Sequence, residues 1–455
     1  MDTVARRLGP QLMPARLSES DGRAAGAPHV VIVGAGFGGL EATKALARAP
    51  VRVTLIDRVN HHCFQPLLYQ VATGTLSPAD IAWPVRSIFS RQRNSQILMA
   101  EVTGVDTHAR AVVLMEGRRV AYDYLIIATG ATHSYFGHDE WSPVAPGLKR
   151  IEDATGIRRR LLLAFERAEL EDDEAERRRL MTFIVIGGGP TGVEMAGAIA
   201  DMARLTLARD FRRIDPRHSR IVLVEAGARV LAAFPETLSA YAQRALESMG
   251  VEVWTTAPVV ELDARGVTTT QGNRIEAATV IWAAGVTASP AAAWISAAVD
   301  RAGRIRVEPD LSVPGHPEIF AIGDTALALG PGGRPAPGLA PAAKQMGRYV
   351  GRLIAARIQS RTAPAGFRYR HLGDLATIGR KRAVVSFGRL RLTGFLAWVF
   401  WSAAHIYLLI GARNRVVVAL DWIWEYLTLQ RGARLVLGPF ANKSEVRSGE
   451  RHTRA

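Results

Sequence analysis

Short apolar runs punctuate this chain, and their length and flanks separate strands from helices. His29-Val-Val-Ile-Val33 is a five-residue β-branched run, the pattern of a strand buried on both faces. It leads into Gly34-Ala-Gly-Phe-Gly-Gly39, a helical stretch over 40–49 and a second apolar strand over 51–56 that stops at Asp57. The order then repeats. Thr182-Phe-Ile-Val-Ile186 precedes Gly187-Gly-Gly-Pro-Thr-Gly192, a helical segment running to 203 and a strand over 221–224 ending at Glu225. A basic insertion over 209–220 lengthens this second connection. Three more runs, Tyr124-Leu-Ile-Ile-Ala-Thr-Gly130, Val280-Ile-Trp-Ala-Ala-Gly285 and Ile319-Phe-Ala-Ile-Gly-Asp324, read as strands ending in small residues, where a ligand can approach the backbone. Residues 157–180 mix arginine triplets with glutamates and predict a solvated helical connection. Residues 330–338 are too rich in turn formers for regular structure.

Strand, glycines, helix, strand and terminal acid together form the dinucleotide fingerprint in its working context. Gly34 permits the tight turn, Gly36 admits a pyrophosphate, Gly39 allows helix to pack on sheet, and the helix N-terminus offers unpaired N–H groups to phosphate. Asp57 then suits an adenosine ribose. In the second unit Gly187, Gly189 and Gly192 repeat these roles, and Glu225 favours NAD over NADP by repelling a 2′-phosphate. Arg229 lies near that acid and is read as a surface residue. Two units in one chain imply two dinucleotides face to face, one resident and one exchangeable, for which FAD and NADH are the natural pair. The expected fold class is α/β, with two Rossmann-like dinucleotide-binding domains and a C-terminal helical region that docks on a membrane. Gly38, Ala128, Gly130, Gly323 and Asp324 join the FAD set, and Ala284 and Gly285 the NADH set. Asp324 has the alternative of capping the next helix.

Composition narrows the chemistry. Lys and Arg outnumber Asp and Glu by 57 to 42, a net +15, which favours anionic partners such as phospholipid. Nucleic acid is not expected, because no zinc-finger spacing, RNA-binding aromatic signature or basic recognition helix is present. Cys63 is the single cysteine, so paired-thiol redox chemistry is excluded. A lone redox thiol is disfavoured by its apolar neighbours. His61 and His62 have no second cluster that would complete a metal site.

Beyond Arg389 and Arg391, residues 394–412 form an aromatic and apolar run, followed by Arg413, Arg415 and a second aromatic stretch over 416–429. As one helix the first run would extend about 28 Å, marginal against about 30 Å of bilayer hydrocarbon. His405, Asp421 and Glu425 make spanning costly. Trp398, Trp401, Tyr407, Trp422, Trp424 and Tyr426 suit the interfacial zone, so the expectation is a segment lying on the membrane, with a buried core helix or dimer interface as the alternative.

Asp57-Arg-Val-Asn-His-His-Cys-Phe-Gln-Pro-Leu-Leu-Tyr-Gln70, Gly187-Gly-Gly-Pro-Thr-Gly-Val-Glu194 and Leu339-Ala-Pro-Ala-Ala-Lys-Gln345 make the sequence resemble the two-dinucleotide-binding flavoproteins, and among them the type II, non-proton-pumping NADH:quinone oxidoreductases. The resemblance spans residues 29–440. It implies electron transfer from NADH through FAD to a quinone at a membrane, on the cytoplasmic face of a bacterial inner membrane, and leaves a homodimer open. It places Ala340, Lys344 and Gln345 beside the flavin and quinone, with Pro341 where the family usually has a first Gln. Glu194 matches a family glutamate near the nicotinamide and the quinone-side proton route; by helix physics alone it is equally a first-turn acid. Glu194, Lys344 and Gln345 are therefore the candidate catalytic groups. The expected division is a disordered leader over 1–28, FAD domain over 29–140 and 304–363, NADH domain over 141–303, membrane-docking region over 364–440 and disordered tail over 441–455. Rival readings are a reductase with a soluble acceptor and an NADH-sensing flavoprotein.

Overall fold

The computed structural model describes residues 26–330, 333–428 and 434–436. Most of the leader and the whole tail expected from sequence lie outside these residues. Two sheets organise the rest. The larger has six strands in the order 312–313, His316–Ala321, Tyr124–Ile127, His29–Val33, Arg52–Asp57, Ser95–Met99. All its neighbours run parallel except the short first pair. The smaller has four parallel strands in the order Val251–Trp254, Arg220–Val224, Thr182–Ile186, Thr279–Trp282. Each glycine-loop strand is therefore internal and buried on both faces, by helices on one side and by a small three-stranded sheet (102–121 for the first unit, 259–276 for the second) on the other, which is why it reads as unbroken apolar sequence. The three small-residue strand ends flank the glycine loops: 124–127 pairs with 29–33, 279–282 pairs with 182–186, and 316–321 follows 124–127.

Helix Ala340–Ile358 crosses helix Phe37–Ala45 at the closest range small residues allow. A β-carbon at Gly347 would overlap the carbonyl oxygen of Gly38, and one at Gly351 would press within 2.6 Å of the Ala45 methyl. The 157–180 stretch differs from expectation. It is two helices, Ile151–Leu170 and Glu174–Leu180, and the first buries Ile157, Leu161, Leu162 and Phe165 in the main core. Most of the charges that suggested a solvated element occupy its outer face, although Arg158 is buried.

The C-terminal run is also shorter and less exposed than its sequence suggests. It forms two helices, Gly394–Leu408 and Ala412–Thr428, that turn at Gly411, whose φ of +86° and contact with the Trp83 ring leave no room for a side chain. Fifteen residues extend about 23 Å. No helix among the described residues is long and apolar enough to cross a membrane. Trp401 and Trp422 were expected at the lipid interface and instead point inward, only 1% and 9% exposed. The cause is helical spacing: Ala397, Trp401 and His405 form one stripe, Asn414, Val418 and Trp422 another, and both face the body of the protein. Phe395, Leu396, Tyr407, Leu420, Trp424 and Leu427 stay exposed on the other side.

Candidate functional site

Both glycine units are built by the same backbone contacts. Gly34 donates its N–H to Ile56 O at 2.8 Å, and Gly187 donates to Val224 O at 2.7 Å, so each loop starts by folding over its second strand. φ is +107° at Gly34 and +110° at Gly187, where any side chain would be strained. Asp57 accepts the amides of Ala35 at 2.6 Å and Val59 at 2.9 Å. Glu225 accepts those of Gly188 at 2.5 Å and Gly227 at 2.6 Å. A β-carbon at Gly39 would overlap Gly34 O, and one at Gly192 would overlap Gly187 O. The helices that follow, Phe37–Ala45 and Pro190–Asp201, carry no acid in the first turn. Their N-termini therefore present unopposed positive dipole ends.

A cavity of about 500 Å³ opens over the first unit, in the size range of cofactor clefts. Its floor is Gly34, Gly36 and Gly38 with Asp57; Ala128, Gly130, Gly323, Asp324 and Ala340 form the sides. Arg58, Lys149 and Arg150 add positive charge to the wall, and Lys149 Nζ lies 4.0 Å from Asp324 Oδ2. This set fits FAD: small residues for a flat ring, amides and cations for a pyrophosphate, acids for ribose and ribitol hydroxyls. A β-carbon at Gly36 would meet nothing within 4 Å, so the loop backbone is open on the cavity side. Asp324 sits in the short turn Gly323–Thr325, while the next long helix starts after Leu339; it lines the cavity and caps no helix.

The wall facing the first unit comes from the second. Thr191 and Glu194, on helix Pro190–Asp201, line the same cavity. Glu194 is the fifth residue of that helix and is buried, which removes the first-turn reading. Burial pushes its carboxyl up to about 8, opposed only by the Thr377 N–H that donates to Oε1 at 3.5 Å. It is protonated at neutral pH. Gly187, Gly189, Gly192, Glu225, Ala284 and Gly285 gather at the carboxyl ends of the smaller sheet, the face on which such sheets bind nucleotide. Arg229 turns away from this face and braces its own loop, donating to Phe234 O and Ala232 O, both at 2.9 Å.

The loop over 339–345 divides its residues. Ala340 reaches the cavity, whereas Lys344 lies behind it with Nζ 5.3 Å from the Phe37 ring, its basicity lowered by burial. Gln345 turns away: its Nε2 donates to Arg370 O and its Oε1 accepts from Arg370 N–H, both at 2.9 Å. The structure thus brings Glu194 to the cavity and uses Gln345 to hold the 370 segment. Cys63 is pushed up to about 12 by burial and the nearby Glu152, so it stays a thiol.

Sequence reasoning missed the groups behind the cavity. Trp422 Nε1 donates to Gln70 Oε1 at 2.8 Å, and Gln70 Nε2 donates to Tyr69 Oη at 2.9 Å. His405 donates Nδ1–H to Trp401 O at 2.8 Å and stacks on Trp401 at 4.1 Å; burial pulls it down to about 4, leaving it neutral. Tyr69 lines both the large cavity and a second one of about 70 Å³ bounded by Thr377, Trp398, Trp401 and Trp422. The i, i+4, i+8 stripes were the available signal for the inward tryptophans; Gln70 closes the 57–70 motif, which does not show its partner, and nothing local signals Thr377.

Residues 28–347 match the family model described as pyridine nucleotide-disulphide oxidoreductase, and residues 371–429 match that of the NDH2 C-terminal domain. The type II NADH:quinone oxidoreductase NdhA of Mycobacterium tuberculosis is 45% identical over 432 residues, covering 91% of this chain and 91% of that protein. The type II NADH:quinone oxidoreductase Ndh of the same organism is 43% identical over 418 residues, covering 89% of each. Among solved structures, NDH2 from Plasmodium falciparum in complex with NADH superposes with a TM-score of 0.82 over 91% of this chain and 100% of that one. Its 22% identity speaks to a shared fold.

Proposed function

Because this chain belongs to the type II NADH:quinone oxidoreductases, within the pyridine nucleotide-disulphide oxidoreductases, we propose that it oxidises NADH and reduces a membrane quinone through bound FAD, without pumping protons. One observation carries the reading: a single cavity has the glycine loop of one unit as its floor and Thr191 and Glu194 of the other as its wall. Such a shared wall lets two dinucleotides meet ring to ring. Bound FAD supplies the redox step, taking two electrons as hydride from NADH and passing them to quinone, with one further proton drawn from solvent.

The chain's own groups bind, orient and shield. The FAD residues are Gly34, Gly36, Gly38, Gly39, Asp57, Ala128, Gly130, Gly323, Asp324 and Ala340; the NADH residues are Gly187, Gly189, Gly192, Glu225, Ala284 and Gly285. Glu194 holds a proton at the cavity wall at neutral pH and is the group best placed to give it up. Lys344 backs Phe37, and Gln345 keeps the loop over 339–345 in register with residue 370. The exposed faces of helices Gly394–Leu408 and Ala412–Thr428, flanked by Arg389, Arg391 and Arg413, dock on anionic lipid so that quinone can enter from the bilayer. The cytoplasmic face of a bacterial inner membrane is the side on which NADH is available. A homodimer would scatter light as twice 49.3 kDa.

Stopped-flow absorbance tests the function. NADH should bleach the flavin band, and a short-chain quinone should restore it within one turnover. Reoxidation no faster with quinone than with buffer sinks the proposal. For docking, Leu396→Asp combined with Leu427→Asp should leave the protein unbound in a flotation assay with phosphatidylglycerol vesicles that retain the wild type.

A further inference from the structure

The segment leaving the FAD cavity carries an exposed ring onto the second unit. Gly130 lines the cavity, and Ala131–His133 then pairs antiparallel with Val286–Ala288, the strand that follows Gly285. Ser289 donates its N–H to Gly130 O at 3.0 Å, and Ser134 donates its N–H to Gly285 O at 3.2 Å. Trp282 Nε1 donates to Ser134 O at 2.9 Å. A stretch from the first unit is thus fastened along the strand end of the second, and it finishes at Phe136.

Phe136 combines three properties that packing does not demand. Its φ is +55°, a conformation an aromatic residue adopts at a cost. It is 68% exposed. Its ring lies over Gly285, so that a β-carbon there would fall 2.5 Å from Cζ, and its ring neighbour is Trp282, 6.1 Å away between centroids. A residue kept for the core would be buried, and a plain loop would put a glycine or asparagine at this φ. A strained, exposed ring resting on a glycine beside a nucleotide-binding strand end is instead matched to a ligand.

We propose that Phe136 is a positioning residue for NADH, its ring covering the nicotinamide end of the substrate; this rests on the reading that the 182–282 sheet binds NADH. The end is identified by connectivity. Gly285 is tied through Ser134 and the Ala131–His133 pairing to Gly130 on the FAD cavity, and the nicotinamide is the end of NADH that must reach the flavin. The ring gives that end an apolar face and keeps water from the gap where hydride moves. The left-handed backbone aims it there without help from a packed core.

The test separates the two substrates. Phe136→Ala should raise the KM for NADH, and the NADH dissociation constant read by tryptophan fluorescence, about tenfold. The KM for quinone and the thermal midpoint should stay at the wild-type values, because the side chain removed is exposed, and Phe136→Tyr should restore NADH binding. An NADH constant within twofold of wild type, or an equal shift in the quinone KM, overturns the proposal. If NADH fails to bleach wild-type flavin, the underlying assignment of the NADH site falls, a result distinguishable from a change confined to the variant.

Discussion

The unit built on His29–Val33 and the unit built on Thr182–Ile186 share their inner geometry nearly bond for bond: the first glycine amide on the second strand, the terminal acid on two loop amides, and a later glycine pressed against the first glycine's carbonyl. They differ in what covers them. Over the first, helix Ala340–Ile358, the 58–69 segment, residues 148–152 and the turn at Gly323 enclose a deep cavity. Over the second, the strap ending at Phe136 crosses the strand ends and leaves its ring in solvent. A fingerprint therefore says that a dinucleotide binds, while the cover says how long it stays. An enclosed unit suits a resident cofactor and an open one a substrate that leaves each turnover.

Breaking each unit at its matching glycine gives the largest effects. Gly39→Ala forces a methyl onto Gly34 O, at a cost of roughly 3 kcal/mol, and the purified protein should lack the flavin absorbance band. Gly192→Ala makes the same collision in the second unit. It should keep its flavin and lose about a hundredfold in kcat/KM for NADH, a difference of about 2.7 kcal/mol. If the two variants lose flavin equally, the division between resident and exchangeable sites is wrong.

Glu194 sharpens the comparison, because it stands on the second unit's helix yet faces the first unit's cavity. Burial raises its carboxyl from the ordinary 4.5 to about 8. The stability tied to its neutral form is complete below about pH 4.5 and is lost as pH rises through about 8. Glu194→Gln, neutral throughout, should match the wild-type thermal midpoint near pH 4.5 and exceed it by an amount worth roughly 2 kcal/mol at about pH 6. Its quinone reoxidation should be slow at every pH, whereas the wild-type rate is expected to fall as pH rises above about 8. The smallest effect is expected for Glu225→Gln, which keeps one acceptor oxygen for the Gly188 amide, gives up that for Gly227 and removes the charge; the NADH over NADPH preference should fall about tenfold in steady-state assays.

Local features were legible and distant ones were not. The glycine loops, their acids and the three small-residue strand ends announce themselves because each function resides in a few consecutive residues. Gln345 looked like a flavin-side group because its loop is flavin-side; its actual bond to Arg370 depends on a fold-back that consecutive residues do not encode. Trp401 and Trp422 were misplaced for a related reason. Aromatic content suggested lipid, whereas the four-residue spacing, which that reading did not use, marks the inward face. Thr377, Gln70 and Phe136 depend on partners more than a hundred residues away, so their contacts carry no signal in the neighbouring sequence.

The crossing of helix Phe37–Ala45 by helix Ala340–Ile358 bears on how the protein is born. The ribosome makes the first glycine loop early, but the element that clamps its helix emerges some three hundred residues later. The second loop, by contrast, finds its neighbouring strands within about a hundred residues of chain. The pocket for the yellow cofactor is therefore complete only once this late helix has been made.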